Sequence, residues 1–208
     1  MHTDVQILHV GVALLSCTLT GMLAWATGLP TMYRDVHTFF HSTAAIAAMH
    51  AIVAAYGRVE RIYSHSIAGF YVTMNTATWT WVSIQHAVPA DAFIMLSTEG
   101  MNGLSLRGWV LAVLSFLIVG SIILHNVTQM KRRPYLHRNM PMVSALLLTY
   151  TAAAATDPAF HLHHYMWAGA LALLCQCDTF ASAACQSIAL GIANQELAFG
   201  DIQPFFDV

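Results

Sequence analysis

The chain reads as long apolar windows separated by short polar or helix-breaking stretches. A bilayer core about 30 Å thick asks for about 20 mainly apolar helical residues per crossing, and six or seven windows come close to that length. The first, about 5–26, is closed by Gly28-Leu29-Pro30, which ends a helix and begins a turn. The second, about 37–56, leads into the polar connection Arg58-Val59-Glu60-Arg61, and the third, about 66–88, stops at Pro89. Residues 90–106 hold Asp91 and Glu99 around Phe93-Ile94-Met95-Leu96 and read as an interfacial helix or a loop. The fourth window, about 108–128, is the most apolar and ends at Lys131-Arg132-Arg133-Pro134; the fifth, about 140–156, stops at Asp157-Pro158. Residues 162–199 are one apolar stretch of 38, too long for one upright crossing at about 1.5 Å per residue. Asp178-Thr179 is its polar break and either residue caps a new helix, so two helices are expected, about 162–177 and 180–198.

The expected fold is therefore all-α: a single polytopic transmembrane helix bundle over 1–208, with six to seven helices and no extramembrane domain. Composition agrees, because 57% hydrophobic and 9% charged residues leave too little charge to coat a soluble globule of 208 residues. Eight basic against ten acidic residues offer no polycationic surface, which excludes a nucleic-acid partner. Loops on the N-terminal side carry Arg58, Arg61, Lys131, Arg132, Arg133 and Arg138, against Arg34 and Arg107 on the other. That bias puts the N-terminus on the cytoplasmic or matrix side of a plasma or inner organellar (mitochondrial) membrane. No basic n-region precedes the first window, which reads as a span and not as a cleaved signal.

Small residues at helical spacing (Ala44-Ala45, Ala47-Ala48, Ala152 to Ala155, Ala181, Ala183, Ala184) read as packing faces where backbones approach in lipid. Thr73, Thr76 and Thr80, with Asn75 mid-span, form a polar stripe expected to bond neighbouring helices.

Twelve histidines on a chain so poor in other ionisable groups demand a chemical account. His9, His50, His65, His125 and His137 fall towards the N-terminal side; His37, His41, His86, His161, His163 and His164 fall towards the other. Two imidazole layers at opposite surfaces suit a transmembrane electron path through b-type haems, each held by two neutral imidazole nitrogens. The candidate haem ligands are His41, His50, His65, His86 and His125. His50 and His125 are the deepest, and His50 lies about 180° round its helix from His41, so the two serve different partners. His41 opens a helix that ends in Tyr56-Gly57-Arg58, His65 opens the next, and Arg133-Pro134-Tyr135-Leu136-His137 introduces a later one. In these features helices two to five resemble the cytochrome b561-type proteins, six-helix dihaem carriers with ligand histidines on four successive helices. That family's histidine at the start of the fourth helix is missing from Arg107-Gly108-Trp109-Val110, and His86 would have to pair differently. The chain is assigned to no family on this resemblance.

A second constellation joins His37 and His41, at i,i+4, with His161, His163 and His164, where His161 and His164 share a helix face; Asp157 would complete or orient it. Such clusters chelate a transition metal, zinc or iron. They resemble the histidine boxes of membrane di-metal hydroxylases and desaturases and, more loosely, the zinc sites of membrane ceramidase-like hydrolases, with fewer histidines than the former and a different spacing from the latter. The methionines read as gap fillers, and Cys175-Gln176-Cys177 is not a metal pair because i,i+2 residues diverge on a helix. No GxSxG, Walker, GxGxxG or HExxH motif occurs, and the only lysine, Lys131, lies in a loop where no retinal Schiff base forms. Three functions follow: a haem b electron carrier, an accessory subunit of a larger membrane complex without its own cofactor, and a metal-dependent membrane enzyme.

Overall fold

The computed structural model describes residues 2–26, 36–56, 58–61, 67–87, 105–130 and 164–199, and the isolated helical positions 144, 145, 148 and 152. Among them are six α-helices, a 3-10 turn at Val59–Arg61, and no strand: α1 His2–Ala26, α2 Val36–Tyr56, α3 Ile67–Ala87, α4 Leu106–Met130, α5 His164–Leu174 and α6 Phe180–Phe199. Apart from its four isolated positions, the window expected at 140–156 lies outside the described residues, as does 90–104.

Local chemistry sets the ends. Ser105 caps α4, accepting the Gly108 N–H on its side chain and the Trp109 N–H on its carbonyl, at 3.3 and 2.9 Å. Thr179 caps α6, where the Ser182 N–H donates to Thr179 Oγ1 at 3.2 Å and the Ala183 N–H to the Thr179 carbonyl at 3.0 Å. α5 stops at Leu174, short of the expected 177, because the carbonyls of Cys175 and Cys177 turn away to Arg61. The two cysteines thus sit in a linker, not on a helix, and both sulfurs reach Asn126 of α4 at 3.6 Å.

Burial departs from that of a water-soluble domain: polar side chains share the interior with an apolar core around Ile46, Val53, Met74 and Leu190, and many large apolar side chains lie outside. The central helix is the polar one: α6 packs on α3, α5 and α2 and buries Ser182, Gln186, Ser187, Asn194 and Gln195. α4 is the reverse, the most apolar helix and the most peripheral, with 12% of its apolar window buried and Phe116, Leu117, Ile118 and Leu124 all exposed. α1 likewise exposes Ile7, Leu15, Leu19 and Trp25. Apolar surface of that extent is unfavourable in water, whereas lipid favours apolar side chains outside and bonded polar ones inside. Among the described residues, three helical segments, Asp4–Leu23, Phe39–Tyr56 and Leu106–Gln129, are long and apolar enough to cross a membrane.

The tightest helix contact needs a glycine. A Cβ at Gly191 of α6 would meet the Met74 carbonyl oxygen at 2.3 Å and Ala77 Cβ at 2.7 Å, so backbone rests on backbone there. Thr78 adds a hydroxyl shared between the Met74 and Gly191 carbonyls, each at 3.0 Å. The threonine stripe expected to bond neighbours does not include this residue. Thr73 donates to Gly69 of its own helix, and Thr76 and Thr80 are exposed. It is Asn75 that joins helices, accepting from Ser16 at 2.7 Å and Thr20 at 3.1 Å of α1.

A second polar cluster ties the α2–α3 connection to the α5–α6 linker. Arg61, 4% exposed, donates through Nη1 to the Cys177 carbonyl and to Ser182 Oγ, and through Nη2 to the Cys175 carbonyl and to Gln186 Oε1. A guanidinium at the carboxyl end of α5 meets orphan carbonyls and the negative end of the helix dipole together. Ser182 donates on to Asn126 Oδ1 at 2.7 Å, and Gln186 Nε2 to the Ala172 carbonyl at 2.9 Å. Burial pushes the Arg61 guanidinium down to about 10, which leaves it charged at neutral pH. Arg58, in the left-handed region at φ 55, pairs with Asp178 across 3.5 Å beside it. Asn126 therefore sets the end of α4 at this level, whereas Tyr165, at the start of α5, packs by Ile46 and Leu197 at the opposite end.

Candidate functional site

At α1, α2, α3 and α6 the helix pattern brings four polar side chains into one buried row. His9 and His50 are both 0% exposed; Tyr71 and Asn194 close the ends. Each sits on the inward stripe of its helix among apolar neighbours, as with Ile46, His50, Val53 and Ala54 on α2. The ring centroids of His9 and His50 are 5.2 Å apart, and Phe70 packs its edge against His9 at 6.3 Å.

The contacts are Tyr71 Oη to His9 Nδ1 at 2.9 Å, His9 Nε2 to His50 Nδ1 at 3.2 Å, and His50 Nε2 to Asn194 Oδ1 at 2.9 Å. A neutral imidazole has one N–H and one bare nitrogen. An amide oxygen only accepts, so the order of donors follows from that end. His50 Nε2–H donates to Asn194 Oδ1, His9 Nε2–H donates to the bare His50 Nδ1, and the Tyr71 hydroxyl donates to the bare His9 Nδ1. With neutral rings every nitrogen is engaged and all three bonds point the same way. Reversing the row requires Asn194 to present its Nδ2 instead, and O and N of an amide are assigned from such networks.

The row has two neutral states: both rings protonated at Nε2 with the Tyr71 hydroxyl donating, or both rings protonated at Nδ1 with the Asn194 amide turned. Passing from the first to the second takes one proton in at the Tyr71 oxygen and one out from His50 Nε2 to a base outside the row, because a carboxamide takes up no proton.

The residues singled out by sequence are distributed differently. His50 is in this row, with both ring nitrogens engaged by protein groups. His41 is on the exposed side of α2, away from His50, as the angular spacing requires. His125 of α4 is half-buried, and its Nε2 has no hydrogen-bond partner among the described residues. His86 lies in the last turn of α3, and His37 and His164 lie in the first turns of α2 and α5. His65, Asp157, His161 and His163 lie outside the described residues. Among the described residues no three His, Cys, Asp or Glu side chains gather at metal-ligand spacing. His9, Tyr71 and Asn194 were not candidates. Their one advance signal was polarity within apolar windows, which Asn75, Thr78 and Gln186 share.

No protein-family model matches the chain, and neither a curated protein nor a solved structure matches it.

Proposed function

We propose that the chain is a multi-pass integral membrane protein, with six to seven crossings and its N-terminus on the cytoplasmic or matrix side, that relays protons within the bilayer as part of a proton-coupled membrane complex. One observation carries the reading: Tyr71, His9, His50 and Asn194 form an unbroken, buried, directionally consistent hydrogen-bonded row across four helices. Ionisable side chains among apolar surroundings are costly and mark ion or proton paths in membrane proteins. The extensive exposed apolar surface, the bonded polar side chains inside and the three described helices of sufficient length support the bilayer as solvent. The exposed apolar length of α4 is available to lipid and to neighbouring subunits.

Proteoliposomes enclosing a pH-sensitive dye test the relay. The wild-type protein is expected to dissipate an imposed pH gradient faster than His50→Phe or Tyr71→Phe at equal reconstitution. Equal rates for wild type, both variants and protein-free vesicles would sink the reading.

One observation favours a second reading, haem b binding: the Nε2 of His125 has no partner among the described residues, so it is a candidate ligand with a nitrogen to give. A Soret band in the purified protein that disappears in His125→Ala is the expected signature; a colourless preparation removes the reading.

A further inference from the structure

Three of the four cysteines gather where α5 turns into α6, and two of them face each other. Cys175 is 0% exposed at the start of the linker, and Cys185 is half-buried in the second turn of α6. Two bonds bracket them on the antiparallel segments: Gln186 Nε2 donates to the Ala172 carbonyl at 2.9 Å, and the Cys177 N–H donates to Ser182 Oγ at 3.0 Å. The register between those bonds sets Cys175 opposite Cys185. Both pack in one apolar cluster, and their thiols hydrogen-bond to each other. Cys177 points elsewhere, its thiol donating to the Asn126 carbonyl of α4 at 3.6 Å. Cys17 lies in the separate cluster of Ile46 and Leu197, which holds no second thiol.

The two facing thiols are unequal, and the difference assigns their roles. Cys185 has surface to offer a reagent and Cys175 has none, so an oxidant meets Cys185 first. Cys175 waits behind it, its sulfur held by the Asn126 Nδ2–H at 3.6 Å and its carbonyl by the Arg61 guanidinium. That puts a cation beside a sulfur that carries negative charge as it attacks.

We propose that Cys175 and Cys185 are a hydroperoxide-oxidised dithiol: the Cys185 sulfur takes the terminal oxygen of a hydroperoxide, and Cys175 then closes a disulfide that staples the end of α5 to α6. In the first step an S–O bond forms and the O–O bond breaks; the Cys185 thiol proton leaves with the alkoxide as an alcohol, or as water when the oxidant is hydrogen peroxide. In the second step the S–S bond forms, the sulfenic S–O bond breaks, and hydroxide leaves with the Cys175 proton as water. Two thiols are oxidised and one hydroperoxide is reduced. The bond reinforces the hold that Arg61 already exerts on the Cys175 carbonyl, since both tie the same residue to α6.

Hydrogen peroxide treatment of the detergent-purified full chain, followed by alkylation of the remaining thiols and non-reducing peptide mapping, tests it. Wild type and Cys177→Ser are both expected to yield a single disulfide joining Cys175 to Cys185, with Cys17 still alkylated, and dithiothreitol is expected to release it. Cys175→Ser is expected to leave Cys185 as a sulfenic acid that dimedone traps. Cys185→Ser is expected to lose the bond and to give no dimedone adduct at Cys175. A wild-type chain that keeps all its thiols overturns the site, and so does a bond through Cys177 or Cys17. A Cys185 that dimedone does not label in Cys175→Ser, or an adduct at Cys175 in Cys185→Ser, overturns the roles. The first two outcomes are read on the unaltered protein, so the site can fail without any variant having to fold.

Discussion

Two buried polar regions hold this molecule, and they are built from opposite chemistry. At the α5–α6 linker, Arg61 supplies only donors, and its two terminal nitrogens go to fixed oxygens: two backbone carbonyls, a serine hydroxyl and a glutamine amide. A guanidinium does not give up its proton near neutral pH, so the cluster has one state and acts as a latch. In the histidine row each ring is donor and acceptor at once, the three bonds share one direction, and the opposite pair of tautomers becomes available when the Asn194 amide turns. Equal burial therefore means different things. Where all donors sit on one group the network fixes geometry, and where donors and acceptors alternate it stores a choice between two states.

Substitutions separate the two regions. The largest effect is expected at the latch. Arg61→Met leaves the Cys175 and Cys177 carbonyls and Gln186 without their donor, which costs about 3–5 kcal/mol and lowers the folded fraction in denaturation from mixed micelles. Arg61→Lys should recover only part of this, because a single ammonium does not reach both carbonyls as a planar fork does. Next comes the seat shared by both regions: Gly191→Ala drives a Cβ against a backbone oxygen that cannot rotate away, for about 1–3 kcal/mol of overpacking, read as a loss of thermal stability in detergent. A smaller cost is expected at the row itself. Tyr71→Phe removes one interhelical bond, worth about 0.6 kcal/mol on average in membrane bundles, while slowing gradient dissipation. If Tyr71→Phe destabilised as much as Arg61→Met, the row would be a brace like the other cluster and the comparison would collapse. The smallest change is at Arg58→Gly, where relief of the left-handed backbone offsets a half-exposed ion pair, so the unfolding midpoint should move by no more than about 1 kcal/mol.

Much of the helical framework was legible in the chain because its signals are local. Gly28-Leu29-Pro30 follows the end of α1 at Ala26, and Asp178-Thr179 lies where α6 is capped. His50 stood out because its depth in an apolar window is a one-dimensional property. The rest of the row did not, since its contacts join residues 41 (His9 to His50), 62 (His9 to Tyr71) and 144 (His50 to Asn194) apart, which no spacing encodes. The threonine stripe misled for a related reason. Thr73, Thr76 and Thr80 recur at helical spacing, but helical phase alone does not say which stripe faces a neighbour, and Thr78, off that stripe, makes the contact.

By itself, then, the amino-acid order determined where most of the described helices lie and that several are long and apolar enough to cross a membrane, since both depend on sums over neighbouring residues. The tertiary structure decided which helix is central. In lipid an apolar face is as well placed outside as inside, so hydrophobicity does not rank the helices, and close backbone fit at Gly191 together with hydrogen bonding among the buried polar groups of α6 does. That same bonding drew α6, not the more apolar α4, into the middle and set its Asn194 against His50.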